Sequence, residues 1–252
     1  MKMKKRILGI IIPLLTCAMI IAQENADVYR VHYLKPVRGA EDKLLAGIKE
    51  HNKKHHKKGI MKVRTFRVVS GEKTGWLVRV YGPMTWAQVD EFTADANSKA
   101  HRANGAKLVM PYIEKNIGPT YWSPVKGLSY NPSTSEKPSK MTRVSYTRIK
   151  RGMNGEFHEL RKQINEVREK TNSDASYGYG RLVHGGERHT IYASFTGLDS
   201  WAEMESSGPS LSSRYNEVHG DGAWGRFLNK ISRVIDYSHD EMRVYLEDHS
   251  TR

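Results

Sequence analysis

The sequence predicts an α+β chain made of two tandem β-α-β-β-α-β units, and three observations carry that prediction. First, VRVYGPMTWAQVDEF around Trp86 is echoed 115 residues later by YASFTGLDSWAEMES around Trp201. Each is an alternating apolar run, a Gly-containing turn, then Thr85 or Ser200 directly before a Trp-Ala pair, the pattern of a strand turning into a capped helix. Second, further signals recur in the same order: Arg30-Val31-His32-Tyr33 with Arg143-Val144-Ser145-Tyr146, and Arg38-Gly39 with Arg151-Gly152. Third, the composition changes to Pro, Ser, Thr and Lys between the two sets, which marks residues 123–140 as a linker.

In chain order, residues 28–34 alternate and end before Pro36, which predicts a strand. Residues 39–57 carry Leu44, Leu45 and Ile48 at helical spacing, with Glu41 and Asp42 early and Lys and His late, the charge order that suits a helix dipole. Residues 63–70 and 76–81 form a hairpin through Gly71–Gly75. The Trp86 helix runs to about residue 103, Asn104-Gly105 stops it, and residues 109–117 lead into a last strand. The second unit repeats this order, with a strand at 142–149 and a helix presenting Phe157, Leu160, Ile164 and Val167 on one face. A hairpin over 177–184 and 190–195 turns at Gly185-Gly186, and an irregular Trp201 helix leads to a strand at 231–237 and a polar tail from 239. Each unit, 23–122 and 141–238, thus has the ferredoxin-like order, an antiparallel sheet with helices on one face only. The bare faces of the two sheets are expected to pack together, with the tail (239–252) covering an edge or a barrel mouth.

Residues 1–22 read as a secretory signal: Lys2, Lys4, Lys5 and Arg6 precede an apolar run from Ile7 to Ile21, and cleavage is expected near Ala22. Secretion or periplasmic export is therefore expected, with the membrane involved only through that signal. The formal charge is +14, of which those four basic residues supply four, leaving +10. Such a surplus favours anionic partners, an anionic small molecule or an acidic glycan, although it can also serve solubility alone. Nothing points to specific nucleic-acid recognition, and the chain is expected as a monomer or homodimer. Cys17 is the only cysteine and falls in the signal, so thiolate catalysis and Cys-ligated zinc are excluded from residues 23–252.

The strand-turn-Trp segments Tyr81–Trp86 and Phe195–Trp201, with the β-α-β-β-α-β order, resemble the dimeric α/β-barrel superfamily. That superfamily includes antibiotic-biosynthesis-type monooxygenases, stress-responsive barrel proteins and haem-degrading enzymes. The resemblance covers roughly residues 27–122 and 141–238. It implies that the two units close an intrachain version of the barrel that single-unit members form by dimerising. It specifies architecture far better than function.

Strand alternation places Arg30, His32 and Leu34 on one face and Tyr29, Val31 and Tyr33 on the other. Arg30, Arg67, Arg143 and Arg181 occupy matching positions in the two units. Turned inward, they would make a basic pocket between the sheets suited to a carboxylate, sulfate or phosphate. His32, Tyr177, Tyr179 and Tyr192 are then the candidate proton-transfer groups, and His101 and His219 would flank a barrel mouth as ligand-binding residues. Turned outward, the arginines would pair with glutamates or lie over sheet edges. No metal site is expected: His51 and His55 are spaced i, i+4, but Lys53, Lys54, Lys57 and Lys58 surround them. Trp86 and Trp201 are expected as core anchors. The leading functional expectation is binding, or oxidation without a metal cofactor, of an anionic or aromatic small molecule between the sheets. The alternatives are an acidic-polysaccharide binder or lyase using Arg, Tyr and His, and a haem protein with His32 as axial ligand.

Overall fold

The computed structural model describes residues 28–135, 137–186, 190–205 and 208–251. The expected signal segment, 1–22, lies outside them. Eight strands, β1 (Val28–Pro36), β2 (Val63–Ser70), β3 (Leu77–Met84), β4 (Ile113–Pro124), β5 (Met141–Ile149), β6 (Gly178–His184), β7 (Thr190–Leu198) and β8 (Ile235–Tyr245), close one barrel in the order β1-β3-β2-β8-β5-β7-β6-β4. Every pairing is antiparallel. The barrel divides into β4-β1-β3-β2 and β8-β5-β7-β6, whose edges are hydrogen-bonded at β2·β8 and β4·β6. Closure through those edges leaves no free strand to template aggregation.

The helices lie outside: α1 (Glu41–His55), α2 (Trp86–Ala96) and α3 (Lys99–Leu108) in the first half, α4 (Asn154–Lys170), α5 (Leu211–His219) and α6 (Ala223–Val234) in the second. Leu44, Leu45 and Ile48 of α1 pack on Leu34 and Leu77. Phe157, Leu160, Ile164 and Val167 of α4 pack on Tyr177, Tyr179 and Tyr192. The barrel interior is a separate cluster, Val31, Tyr33, Phe66, Val68 and Val78. Tyr33 of β1 hydrogen-bonds Tyr146 of β5 at 2.6 Å, and since those strands are not neighbours the contact crosses the barrel. Period-two alternation then places Arg30 and His32 on the outer, helix-covered face.

Several elements depart from the sequence expectation. Thr85 caps α2 as expected, in a reciprocal capping box with Gln88. The helix breaks at Asn97, however, and a Ser98 cap starts α3, which runs through Asn104-Gly105. The Trp201 segment is a short 3-10 turn, Trp201–Met204, with the helix delayed to α5. Residues 231–234 belong to α6, whose Phe227 and Val234 are buried, so the last strand is 235–245 and takes in half of the expected tail. Residues 246–251 do run along β2: Leu246 and Thr251 donate backbone N–H bonds to Thr65 and Val63 carbonyls. The start of the expected linker is packed, because Leu128 and Tyr130 join the second-half core. Trp86 and Trp201 are 46% and 55% exposed, so neither is a core anchor. No helix among the described residues is long and apolar enough to cross a membrane.

Candidate functional site

A cavity of about 180 Å³ lies between the outer face of the first-half sheet and α1–α3. β1 supplies Arg30 and His32, β3 supplies Arg79 and Tyr81, and β4 supplies Asn116; Phe92 comes from α2, and His51, His56 and His101 come from the α1 end and α3. Local sequence explains why the histidines turn inward. The buried face of α1 is Leu44, Leu45, Gly47, Ile48, His51 and Asn52, so the apolar stripe runs straight into the histidines while Lys53, Lys54, Lys57 and Lys58 are exposed. Gly47 lets α3 approach: a Cβ there would sit 1.8 Å from the Leu108 carbonyl oxygen. That close packing brings His101 against His51, with ring centroids 4.8 Å apart.

The pocket is rich in cations. Arg79 is buried, and it donates from Nε to Tyr81 Oη (2.9 Å) and from Nη2 to Asn52 Oδ1 (2.7 Å), both neutral acceptors. The Arg30 guanidinium lies over the Phe92 and Tyr81 rings, and its Nε is buried without a hydrogen-bond partner. Among the described residues neither arginine forms an ion pair. His32 Nε2 is likewise buried and unpartnered, while its Nδ1 faces Asn116 Oδ1 at 3.4 Å. Burial, reinforced by Arg30, pushes the His32 pKa down to about 3, so the ring is neutral beside two guanidiniums. A buried cation without a counter-charge is costly, and an anion between the two arginines would offset that cost.

Three expected residues, Arg30, His32 and His101, therefore meet in one pocket, on the face opposite to the one expected. The others are elsewhere. Arg67 pairs with Glu41 at the start of α1 (2.7 Å) and Arg143 with Asp240 (2.6 Å). Arg181 is exposed beside Tyr192. Tyr177, Tyr179 and Tyr192 are buried under α4 in the second half; Tyr177 bonds Asn165, and Tyr192 bonds Asn154 and His158. His219 is exposed at the end of α5. The four arginines thus do not line a pocket between the sheets. The interior holds a different cation, Arg243, which bonds Glu241 (2.6 Å), Tyr33 (2.6 Å) and Tyr146 (2.5 Å). Sequence reasoning missed Glu241 and Arg243 because it ended the last strand too early. It missed His51 and His56 because it weighed the lysines beside them without the helical face they share with Leu44 and Ile48.

Haem does not fit this pocket. Its volume is below the roughly 300–1,000 Å³ of pockets that take drug-sized ligands. The buried imidazoles of His51, His56 and His101 also converge within 4.8 Å of one another rather than presenting a single axial ring.

No family model and no curated protein matches the sequence. Solved structures do. An anthrone oxidase-like protein superposes with a TM-score of 0.52 at 8% identity, covering 90% of this chain and 94% of its own. A candidate monooxygenase from Fusobacterium nucleatum gives 0.52 at 10% identity over 87% and 92%. A candidate chlorite dismutase gives 0.51 at 8% identity over 88% and 96%. At these identities the likeness is one of fold. The fold is the dimeric α/β barrel, an eight-stranded barrel with its helices outside.

Proposed function

We propose that this chain is an exported protein that binds a small oxyanion, a short carboxylate or an inorganic anion, in the first-half pocket. The observation that carries the reading is a pair of guanidiniums, Arg30 and Arg79, beside a neutral His32, with no carboxylate paired to either. Arginine presents a planar fork that matches a carboxylate or phosphate edge, and Tyr81 and Phe92 supply an apolar wall for a short organic anion. The small volume excludes a polymer, so the glycan reading would need another surface. The open cavity of about 560 Å³ on the second half mixes Arg168 and Arg214 with Asp174, Glu203 and Glu205 and has no net basic character. We further infer that the halves are a duplicated unit in which the first half keeps the site.

The test is calorimetric titration of the purified chain with a panel of formate, acetate, oxalate, benzoate, carbonate, sulfate and phosphate. At least one anion is expected to bind at one site per chain, and Arg79→Gln is expected to weaken it by tenfold or more, the loss of one charge-assisted bond. Binding unchanged in Arg79→Gln, or none across the panel, overturns the reading. Export is tested by recovering the chain outside the cytoplasm with its N-terminus near residue 23.

A further inference from the structure

We propose that His51, His56 and His101 bind one divalent transition-metal ion through their three Nε2 atoms, leaving a fourth position open toward Arg30 and Arg79. All three side chains are buried, and their ligand atoms lie within 4.8 Å of one another. The hydrogen bonds set the tautomers. His56 Nδ1 faces the Met61 carbonyl oxygen at 2.8 Å, and His101 Nδ1 faces Asp95 Oδ1 at 3.0 Å; both oxygens only accept, so both Nδ1 atoms carry the proton. His51 Nδ1 faces Asn104 Oδ1 at 2.7 Å and is a donor in the same way. In its neutral form each ring then carries its lone pair on Nε2.

Two of those lone pairs confront each other. His51 Nε2 and His101 Nε2 are 3.1 Å apart, and with both Nδ1 positions donating, only an added proton or a metal ion can sit between the two rings. Something positive belongs there. In a tetrahedral centre with metal–nitrogen bonds of about 2.0–2.1 Å the ligand nitrogens stand roughly 3.3 Å apart, so this pair already has the ligand spacing. Asp95, Asn104 and the Met61 carbonyl are the outer partners that metal-bound histidines ordinarily have, fixing ring orientation and raising donor strength. Three neutral imidazoles suit zinc, copper, nickel or iron(II), and three protein ligands with a free position is the arrangement of reactive rather than structural zinc sites. The His55 ring lies tilted against His101 at the rim, centroids 4.5 Å apart, with its own Nε2 buried and unpartnered.

A dication beside two arginines needs negative charge beyond the Asp95 carboxylate. An oxyanion bridging metal and guanidinium supplies it, so metal and anion should tighten each other's binding by the same factor. This coupling rests on the anion reading above, whereas the metal site stands on the histidines alone.

The test is Co²⁺ and Zn²⁺ titration of the full chain after chelator treatment, followed by cobalt visible absorption and by competition with a chromogenic chelator, with and without the tightest oxyanion of the panel. One ion per chain with a tetrahedral cobalt spectrum is expected. His56→Ala and His101→Ala should each lose at least a hundredfold in affinity. Asp95→Asn, a change at a largely exposed carboxylate, should lose ten- to a hundredfold, and it serves if a histidine variant fails to fold. No stoichiometric binding, or binding undiminished in these variants, overturns the metal site. Metal binding that ignores the oxyanion, in wild type and Arg79→Gln alike, overturns the coupling while the metal site stands.

Discussion

Glu241→Gln is the most direct probe of what holds the barrel together. Glu241 and Arg243 have side chains only 2% and 6% exposed, and their Nε···Oε1 contact is 2.6 Å. Arg243 also donates to Tyr33 and Tyr146, and Tyr33 donates to Glu241, so one carboxylate balances one guanidinium among two phenols. Replacing the carboxylate by a neutral amide leaves an uncompensated cation inside the barrel, a change that costs about 3–5 kcal/mol. For a chain of this size that corresponds to a Tm lower by roughly 6–20 °C, at about 2–4 °C per kcal/mol. Glu241→Gln with Arg243→Met removes both charges and should be less destabilised than Glu241→Gln alone, since an apolar replacement of a whole buried pair is often neutral. Urea unfolding followed by circular dichroism and tryptophan fluorescence measures both. A single variant within about 1 kcal/mol of wild type, or a double variant whose loss is the sum of its singles, refutes the reasoning.

Four further outcomes follow from named contacts. Gly47→Ala should gain up to about 1 kcal/mol of helix propensity, yet lose about 1–3 kcal/mol net as the new Cβ drives α1 and α3 apart; its Co²⁺ affinity should fall with it, and a neutral urea midpoint would sink that packing argument. His32 titrates near 6.5 when unfolded but is held down to about 3 when folded, so protons favour the unfolded chain. Its contribution is unchanged above pH ~6.5 and falls by about 1.4 kcal/mol per pH unit below it; between pH 7 and 5 chelator-treated wild type should lose about 2 kcal/mol relative to His32→Gln, and parallel profiles contradict this. Trp86→Ala and Trp201→Ala should each change stability by less than about 1 kcal/mol, whereas buried Phe92→Ala should lose about 3–5 kcal/mol by the same urea assay. Thr85→Ala removes the side-chain half of a reciprocal cap, the Gln88 N–H to Thr85 Oγ1 bond, while the backbone N–H of residue 85 keeps Gln88 Oε1, and it should lower stability by about 1 kcal/mol in thermal melts.

The strands were the legible part of the sequence. Residues 63–70 alternate between two buried faces with turns at both ends, and the strand lies where the alternation puts it. The second-half helices were less legible. Gly208 and Pro209 displace α5 from the Trp201 turn, and the α6 pattern Phe227, Ile231, Val234 continues without a break into Ile235 of β8. Which strand face looks inward could not be read, because both faces of β1 carry large and polar residues: Tyr33 turns to the interior and His32 to the helices. The arginines were visible, but not their partners. Glu41 and Asp240 neutralise Arg67 and Arg143 through contacts that only the folded chain brings together. Arg79 carries no signal of recurrence: by strand register the corresponding place in the second half holds Ser194.

That mismatch bears on how one fold supports one pocket. Leu77 pairs with Leu34 in the first half as Tyr192 pairs with Thr147 in the second, so Arg79 stands where the second half has Ser194, and His32 where it has Ser145. Thr65, by the same register, stands where the second half has Tyr179. Counted from the two Arg-Gly pairs, His51 falls at Ile164. The second half fills its sheet–helix space with Phe157, Ile164, Tyr177, Tyr179 and Tyr192, and ties the phenols to Asn165, Asn154 and His158. It is solid where the first half is hollow and cationic. A pocket of buried guanidiniums without carboxylate partners is destabilising in itself, and sites of that kind persist where surrounding structure over-determines them. Here the solid half does so through the β2·β8 and β4·β6 edges, and through the Tyr33–Tyr146–Glu241–Arg243 network that fastens β1 to β5 and β8. β1 carries Tyr33 inward and Arg30 and His32 outward, so the strand anchored by the network is the strand that presents the site.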